Sequence, residues 1–125
     1  REKDITILIE PLNRNDAPDY FLQTTDQATA IISQINADNL KLMFDCYHVG
    51  RNEGDIVTRF KMLKPLIGHV QFASIPSRGA PDQGEINFGH VFAEIATAGW
   101  QRPLGAEYKP GGPTEETLGW MKTLA

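Results

Sequence analysis

The sequence predicts an α/β fold of four successive strand–helix units with parallel strands, amounting to half of a closed eight-unit barrel. Three observations carry this. Four short apolar runs alternate with segments of helical periodicity, the pattern of a parallel sheet with right-handed crossovers. Each run leads into a polar side chain: Glu10, Asp45, Gln71 and Glu107. The intervals between these residues are 35, 26 and 36, against roughly 31 per unit in a complete barrel of about 250 residues.

The first strand is read over residues 4–10, DITILIE, apolar at nearly every position and so buried on both faces. Pro11 ends it, because proline cannot donate to an interior ladder. Residues 12–24 form a loop holding Asn13, Asn15, Asp16 and Pro18, with a short helical turn over Pro18–Leu22. Thr25 is the N-cap of the first helix, and Ala28, Ile31, Ile32 and Ile35 fall at i, i+3, i+4 and i+7 on one face. A turn over 36–39 leads to the second strand, Leu40–Asp45, where an apolar run stops abruptly at a carboxylate. A loop from Cys46 to about Gly54 follows. The second helix presents Ile56, Phe60, Leu63 and Ile67, closed by Pro65 and Gly68.

The third strand is read as His69–Ala73. The loop 74–85 is long and dense in Gly and Pro, the composition of a binding loop. A third helix over Asn87–Ala98 carries Phe88, Val91, Phe92 and Ile95, with Gly99 as its stop. Pro103–Tyr108 is the fourth strand. Thr114 caps a last helix with Glu115 and Glu116 in its first turn, where carboxylates suit the helix dipole, and Leu118, Met121 and Leu124 on its apolar side.

The totals narrow the function classes. The chain has 125 residues, 41% hydrophobic and 22% charged, which is one domain with a core. Twelve basic against sixteen acidic residues, a net charge of -4, argue against nucleic acid as a partner, since phosphate binding needs a basic face. The single Cys46 excludes a disulfide framework and a multi-thiolate zinc site, and fits a reducing, cytoplasmic setting. No apolar run approaches the roughly 20 residues needed to span a bilayer. The chain opens Arg1-Glu2-Lys3-Asp4, with neither an initiator Met nor a signal-peptide pattern. Residues 1–125 are therefore read as one barrel domain, a fragment of a longer chain.

Alternate residues of a strand share a face. With Glu10, Asp45, Gln71 and Glu107 turned inward, Ile5, Ile7, Ile9, Leu42, Phe44, Val70, Phe72, Leu104 and Ala106 all turn outward, toward the helices. The phase is the same in every strand. All four polar residues sit at C-terminal strand ends, where barrel active sites are built. Three carboxylates and an amide on one axis repel one another unless a hard cation joins them, and all-oxygen ligands suit Mg²⁺ or Mn²⁺ better than zinc. A lone carboxylate at a strand end is ordinarily a cap or a solvated rim residue. Four in the same phase at the same end are not explained that way.

Other residues read more plainly. His48 follows Asp45 by three positions, a spacing without specificity, and Arg78 lies in the long third loop as a solvated charge does. Glu85 starts a helix and Lys109 sits at the rim. His69 is an interior histidine two residues below Gln71. Trp100 and Trp120 are packing residues, and Cys46 has no histidine partner that would make it a nucleophile. The GGP at 111–113 lacks the lysine of a phosphate loop.

Six motifs taken together carry a resemblance: LIEPLN (8–13), FDCYH (44–48), HVQFA (69–73), DQGEINF (82–88), GAEYKP (105–110) and TEETLGW (114–120). In order and spacing they resemble hydroxypyruvate isomerase and the 2-oxo-tetronate isomerases, xylose-isomerase-like TIM barrels, over the C-terminal half, strands five to eight. The resemblance implies a divalent metal held by Glu10, Asp45, Gln71 and Glu107, with Glu10 and Glu107 also moving the proton. It implies His48 and Arg78 as substrate-binding residues. The implied reaction interconverts the aldehyde and ketone forms of a short hydroxy-oxo acid by metal-assisted enediolate proton transfer. Gln71 stands where many sugar epimerases of the superfamily carry His, which favours the isomerase branch. Ser77-Arg78-Gly79 departs from the Arg-His pair of that branch. The alternatives are a sugar epimerase, a metal-dependent endonuclease of the AP type, or a non-catalytic half-barrel. Four parallel strands leave two open edges, so self-association or the missing half-barrel is the expected protein partner.

Overall fold

The structure, a computed structural model, describes residues 3–124. Arg1, Glu2 and Ala125, which the sequence reading put at the ends of the domain, lie outside the described residues. Strands β1 (Ile7–Ile9), β2 (Leu40–Asp45), β3 (Ile67–Phe72) and β4 (Leu104–Ala106) form one parallel sheet in chain order. The helices are α1 (Thr25–Ile35), α2 (Cys46–Asn52), α3 (Ile56–Leu63), α4 (Phe88–Thr97) and α5 (Met121–Leu124), with 3-10 turns at Lys64–Leu66 and Thr114–Trp120. Four strand–helix units in parallel order are what the sequence predicts.

The phase of the strands also holds. Leu42, Phe44, Val70 and Phe72 are buried under the helices. Phe44 meets Phe60 of α3 edge-on, and Phe60 in turn meets Trp100. Phe72 is enclosed by Phe88 and Phe92 of α4 and by Trp120. Burying each such ring stabilises the fold by roughly 1.5–3 kcal/mol. On the opposite face the register aligns Asp45 with Gln71 and Gln71 with Gly105. Gly105 sits close beneath them: a Cβ there would lie 2.8 Å from His69 Nε2 and 3.4 Å from Gln71 Cγ. His69 is thus on the inner face, beneath Gln71, as read.

Several boundaries and faces differ from expectation. β1 spans three residues rather than seven, and it is not buried on both faces: Ile5 is 56% and Ile7 52% exposed. It is an edge strand. Each crossover helix covers the groove between its own strand and the next, so α1 packs on β2, and the outer flank of β1 has no helix of the described residues over it. The far edge behaves alike, with Leu104 half-buried and Ala106 exposed. Residues 18–22 form a turn and not helix. The cap of α1 is Thr24, one residue early, in a reciprocal box with Gln27. Ala28 and Ile32 are buried and Ile31 half-buried, but Ile35 is 58% exposed at the last turn.

The residues expected as a loop after Asp45 are instead α2, capped by the Asp45 side chain, which accepts the Tyr47 N–H at 2.9 Å. Gly50 inside it makes room for Ile75: a Cβ would stand 2.7 Å from Ile75 Cδ1. Ile67 and Gly68 belong to β3, since the Pro65 turn ends the helix earlier than expected. The last helix is a 3-10 turn running into one turn of α-helix. Its three-residue repeat brings Thr117 Oγ1 (2.6 Å) and Trp120 Nε1 (3.4 Å) to the same Tyr108 hydroxyl. Trp120 is the buried anchor of this segment, while Leu118 and Met121, expected inside, are 37% and 50% exposed.

Candidate functional site

The C-terminal ends of the strands gather Glu10, Asp45, Gln71 and Glu107 together with His48 and Arg78. Glu10 follows β1, Asp45 closes β2 and Gln71 lies near the end of β3. Glu107 follows β4, its N–H bonded to the Phe72 carbonyl. His48 is placed by the first turn of α2. Because Asp45 is both strand end and helix cap, its two oxygens are divided: Oδ1 holds α2, and Oδ2 faces the site.

The shortage of hydrogen-bond partners here is a matter of energy. Glu10 Oε1, Asp45 Oδ2, His48 Nε2 and Gln71 Oε1 are all buried without a hydrogen-bond partner, four of seven such atoms among the described residues. Each costs roughly 1–3 kcal/mol, so their convergence marks a place built to receive something. Oxygens or ring nitrogens of Glu10, Asp45 and His48 lie within 4.8 Å of one another. Two carboxylates and an amide oxygen without partners are the donor set of a hard divalent cation.

The charges confirm the crowding. Burial first, then the charges of Asp45 and Glu107, push Glu10 up to about 7, against the pull of Arg78. Burial pushes Asp45 up to about 6, helped by Glu107 and opposed by the Tyr47 N–H and by Arg78. His48 is pulled down to about 4 by burial and by Arg78, with Asp16 and Glu107 acting the other way. The imidazole is therefore neutral, and its Nε2 stands 3.8 Å from Asp45 Oδ2 and 4.0 Å from Glu10 Oε1.

Arg78 is not a solvated loop charge. Its backbone is left-handed, φ 57°, a conformation that costs a non-glycine residue energy and recurs at functional sites. The loop is folded on itself, with Ser74 Oγ accepting the Gly79 N–H. It delivers the guanidinium over the Tyr47 ring, into an ion pair with Glu107 and within 4.0 Å of Asp45 Oδ2. Glu107, by contrast, is half exposed. Glu85 and Lys109 are exposed. Cys46 is fully buried, and burial pushes its thiol well above the ordinary range.

Four residues of the site were not singled out from the sequence. Asn13 is fully buried and donates to His48 Nδ1 from its main-chain N–H. Tyr47 donates its hydroxyl to Asp16 Oδ2 at 2.6 Å, and Arg51 donates to the Pro76 carbonyl. Burial works to raise Asp16, but bonds from Tyr47 and Asn13, with Arg51 nearby, outweigh it and hold the carboxyl below its ordinary range. The only signal for any of them is proximity: Asn13 closes the LIEPLN motif, and Tyr47 stands between Asp45 and His48.

Known proteins resemble the chain along its length. The family described as xylose isomerase-like TIM barrel matches residues 1–124. A 2-oxo-tetronate isomerase from Cupriavidus necator is 43% identical over 118 residues, 94% of this chain and 45% of the relative. A hydroxypyruvate isomerase from Escherichia coli is 40% identical over 120 residues, 96% of this chain and 46% of the relative. Among solved structures, an AP endonuclease, family 2, from Brucella melitensis superposes with a TM-score of 0.92 at 34% identity, over 97% of this chain and 47% of the other. The chain thus spans a little under half the length of these proteins.

Proposed function

The chain belongs to the xylose isomerase-like TIM barrel family, and from that premise we propose that it supplies the acid–base and ligand residues of an isomerase acting on a short hydroxy-oxo acid. Hydroxypyruvate and 2-oxo-tetronate are the substrate types, after the names of the relatives. The observation that carries the reading is the cluster of partnerless buried oxygens at the strand ends. A divalent cation such as Mg²⁺ or Mn²⁺, when bound through Glu10, Asp45, Gln71 and Glu107, draws electron density from a carbonyl beside it and so acidifies the neighbouring C–H.

The chain's own groups do the rest. In the metal-free chain, burial and the charges of Asp45 and Glu107 raise Glu10, an environment that favours proton uptake by this carboxylate. Glu10 and Glu107 stand on the two edge strands, on opposite flanks of Asp45 and Gln71. One removes the proton from the hydroxyl-bearing carbon and the other returns a proton to the adjacent carbon, while the hydroxyl proton passes to the former carbonyl oxygen. Asp45 and Gln71 serve as ligands. Neutral His48 and the Arg78 guanidinium are the donors available to the substrate's hydroxyl and carboxylate. Residues 1–125 act as one barrel unit, completed by further chain or by a second copy.

Hydroxypyruvate isomerisation by this chain, assayed with Mg²⁺ or Mn²⁺ and again with chelator, tests the reading. The chain alone, under half the length of its relatives, is expected to turn over weakly or not at all. Any turnover is expected to be chelator-sensitive and to disappear in Glu10→Gln and in Glu107→Gln, both folded by circular dichroism. Full activity in either variant overturns the assignment. The structural likeness to an AP endonuclease makes nicking of abasic DNA the control. The net charge of -4 opposes it, and no nicking is expected.

A further inference from the structure

We propose that Asn13 is a positioning residue that fixes the tautomer of His48, making His48 Nε2 a hydrogen-bond donor to substrate. The proposal rests on the isomerase reading for what is bound, but not for the tautomer.

The geometry leaves one arrangement. The Asn13 main-chain N–H points at His48 Nδ1 at 3.0 Å. A main-chain N–H can only donate, so Nδ1 accepts and carries no hydrogen. The Asn13 side chain adds a second donor. Its Oδ1 is occupied by the N–H groups of Asn15 at 3.1 Å and Asp16 at 3.0 Å. That fixes which end of the amide is oxygen, and the NH₂ end is left facing Nδ1 at 2.9 Å and Asp16 Oδ2 at 3.1 Å. Every polar atom of this fully buried side chain is thereby used.

A neutral imidazole has one ring hydrogen, so it resides on Nε2. By proximity alone His48 groups with Glu10 and Asp45 as a three-residue metal site, but a metal ligand must offer a lone pair, and Asn13 has placed a hydrogen there instead. Nε2 is also too far from either carboxylate for a hydrogen bond, at 3.8 and 4.0 Å. The N–H therefore points into the acid-lined space with no partner, where an oxygen of a hydroxy-oxo acid supplies one. Asn13 touches neither the substrate nor the proton. It acts by turning His48 from a competing ligand into a donor.

Nitrogen-15 NMR of the histidine-labelled chain tests this directly, with His48 identified by the signals lost in His48→Gln. Expected is a pyridine-type Nδ1 and a pyrrole-type Nε2. Asn13→Asp keeps the shape and the two turn bonds but replaces the NH₂ donor by a charged acceptor against the unaltered main-chain N–H, so a measurable pyrrole-type fraction is expected at Nδ1. A wild-type spectrum with the hydrogen on Nδ1, or the averaged signals of a free imidazole, overturns the proposal. An unchanged Nδ1 in folded Asn13→Asp overturns the role given to the Asn13 side chain, the main-chain N–H then sufficing. If that variant does not fold, the wild-type spectrum decides alone. Because no turnover is read, a chain inactive toward hydroxypyruvate leaves this result standing.

Discussion

The two middle strands and the two edge strands of this sheet are built on different terms. β2 and β3 are six residues each, covered by α3 and α4 on their outer face. β1 and β4 are three residues each, and Ile5, Ile7 and Ala106 on their outer faces are exposed. The site draws on both: Asp45 and Gln71 from the middle, Glu10 and Glu107 from the edges. The difference teaches that the middle is fixed by packing on both sides, whereas each edge is held by its pairing with one neighbouring strand.

The comparison breaks most visibly in the core. Phe44→Ala, on β2, is expected to cost about 3–5 kcal/mol by urea denaturation, the usual range for emptying an aromatic site. Ile7→Ala, on β1, should cost under about 1 kcal/mol. Similar losses at both positions would mean that the edge is packed like the middle and that the distinction is wrong.

A second effect sharpens the electrostatic side. Unfolded, Glu10 and Asp45 titrate near 4.5 and 3.8; folded and metal-free, they titrate at about 7 and about 6. Between those values the folded chain holds the extra protons, so both groups make stability fall as pH rises, and the loss is complete above the folded values. His48 runs the other way, from 6.5 unfolded to about 4 folded, and adds stability as pH rises between those values. Two losses outweigh one gain. The metal-free chain should therefore lose stability between about pH 4.5 and 6, measured as urea midpoints. With Glu10→Gln and Asp45→Asn together, only the histidine contribution remains, and the slope over that interval should reverse. A slope unaltered by the double substitution would show that the crowded carboxylates are not what the fold is opposing.

The smallest effect belongs to the exposed edge. Ile5→Lys with Ile7→Lys should leave stability within about 0.5 kcal/mol while lowering concentration-dependent association seen by light scattering. Lysines on an edge strand oppose strand addition. Association that persists unchanged would place the contact elsewhere.

The same division explains what could be read from the sequence. Leu40–Asp45 was legible to the residue, because a middle strand is apolar for its own reasons and stops where the site begins. Residues 4–10 looked equally buried, but three isoleucines cannot reveal that no helix of the described residues packs over them. The inward phase of the four strand-end residues followed from period two alone. Helix α2 did not, because Asp45 is strand end and cap at once and Gly50 argues against helix unless Ile75 is known to press on it. Asn13 was invisible for a similar reason. In sequence it is one more loop asparagine, and its importance lies in a bond to a residue 35 positions away.

Gly105 has a consequence for how such a site can change. It leaves the space that His69 fills from the neighbouring strand, directly under Gln71. The space beneath the strand-end side chains is therefore set by a residue with no side chain. A single added carbon there would push on the far end of an imidazole, which can tilt away cheaply, and on the stem of Gln71, whose amide must then rise. The height of Gln71 and the stability of the sheet are separable at this position, so a lineage could move that amide without first surviving a damaged fold.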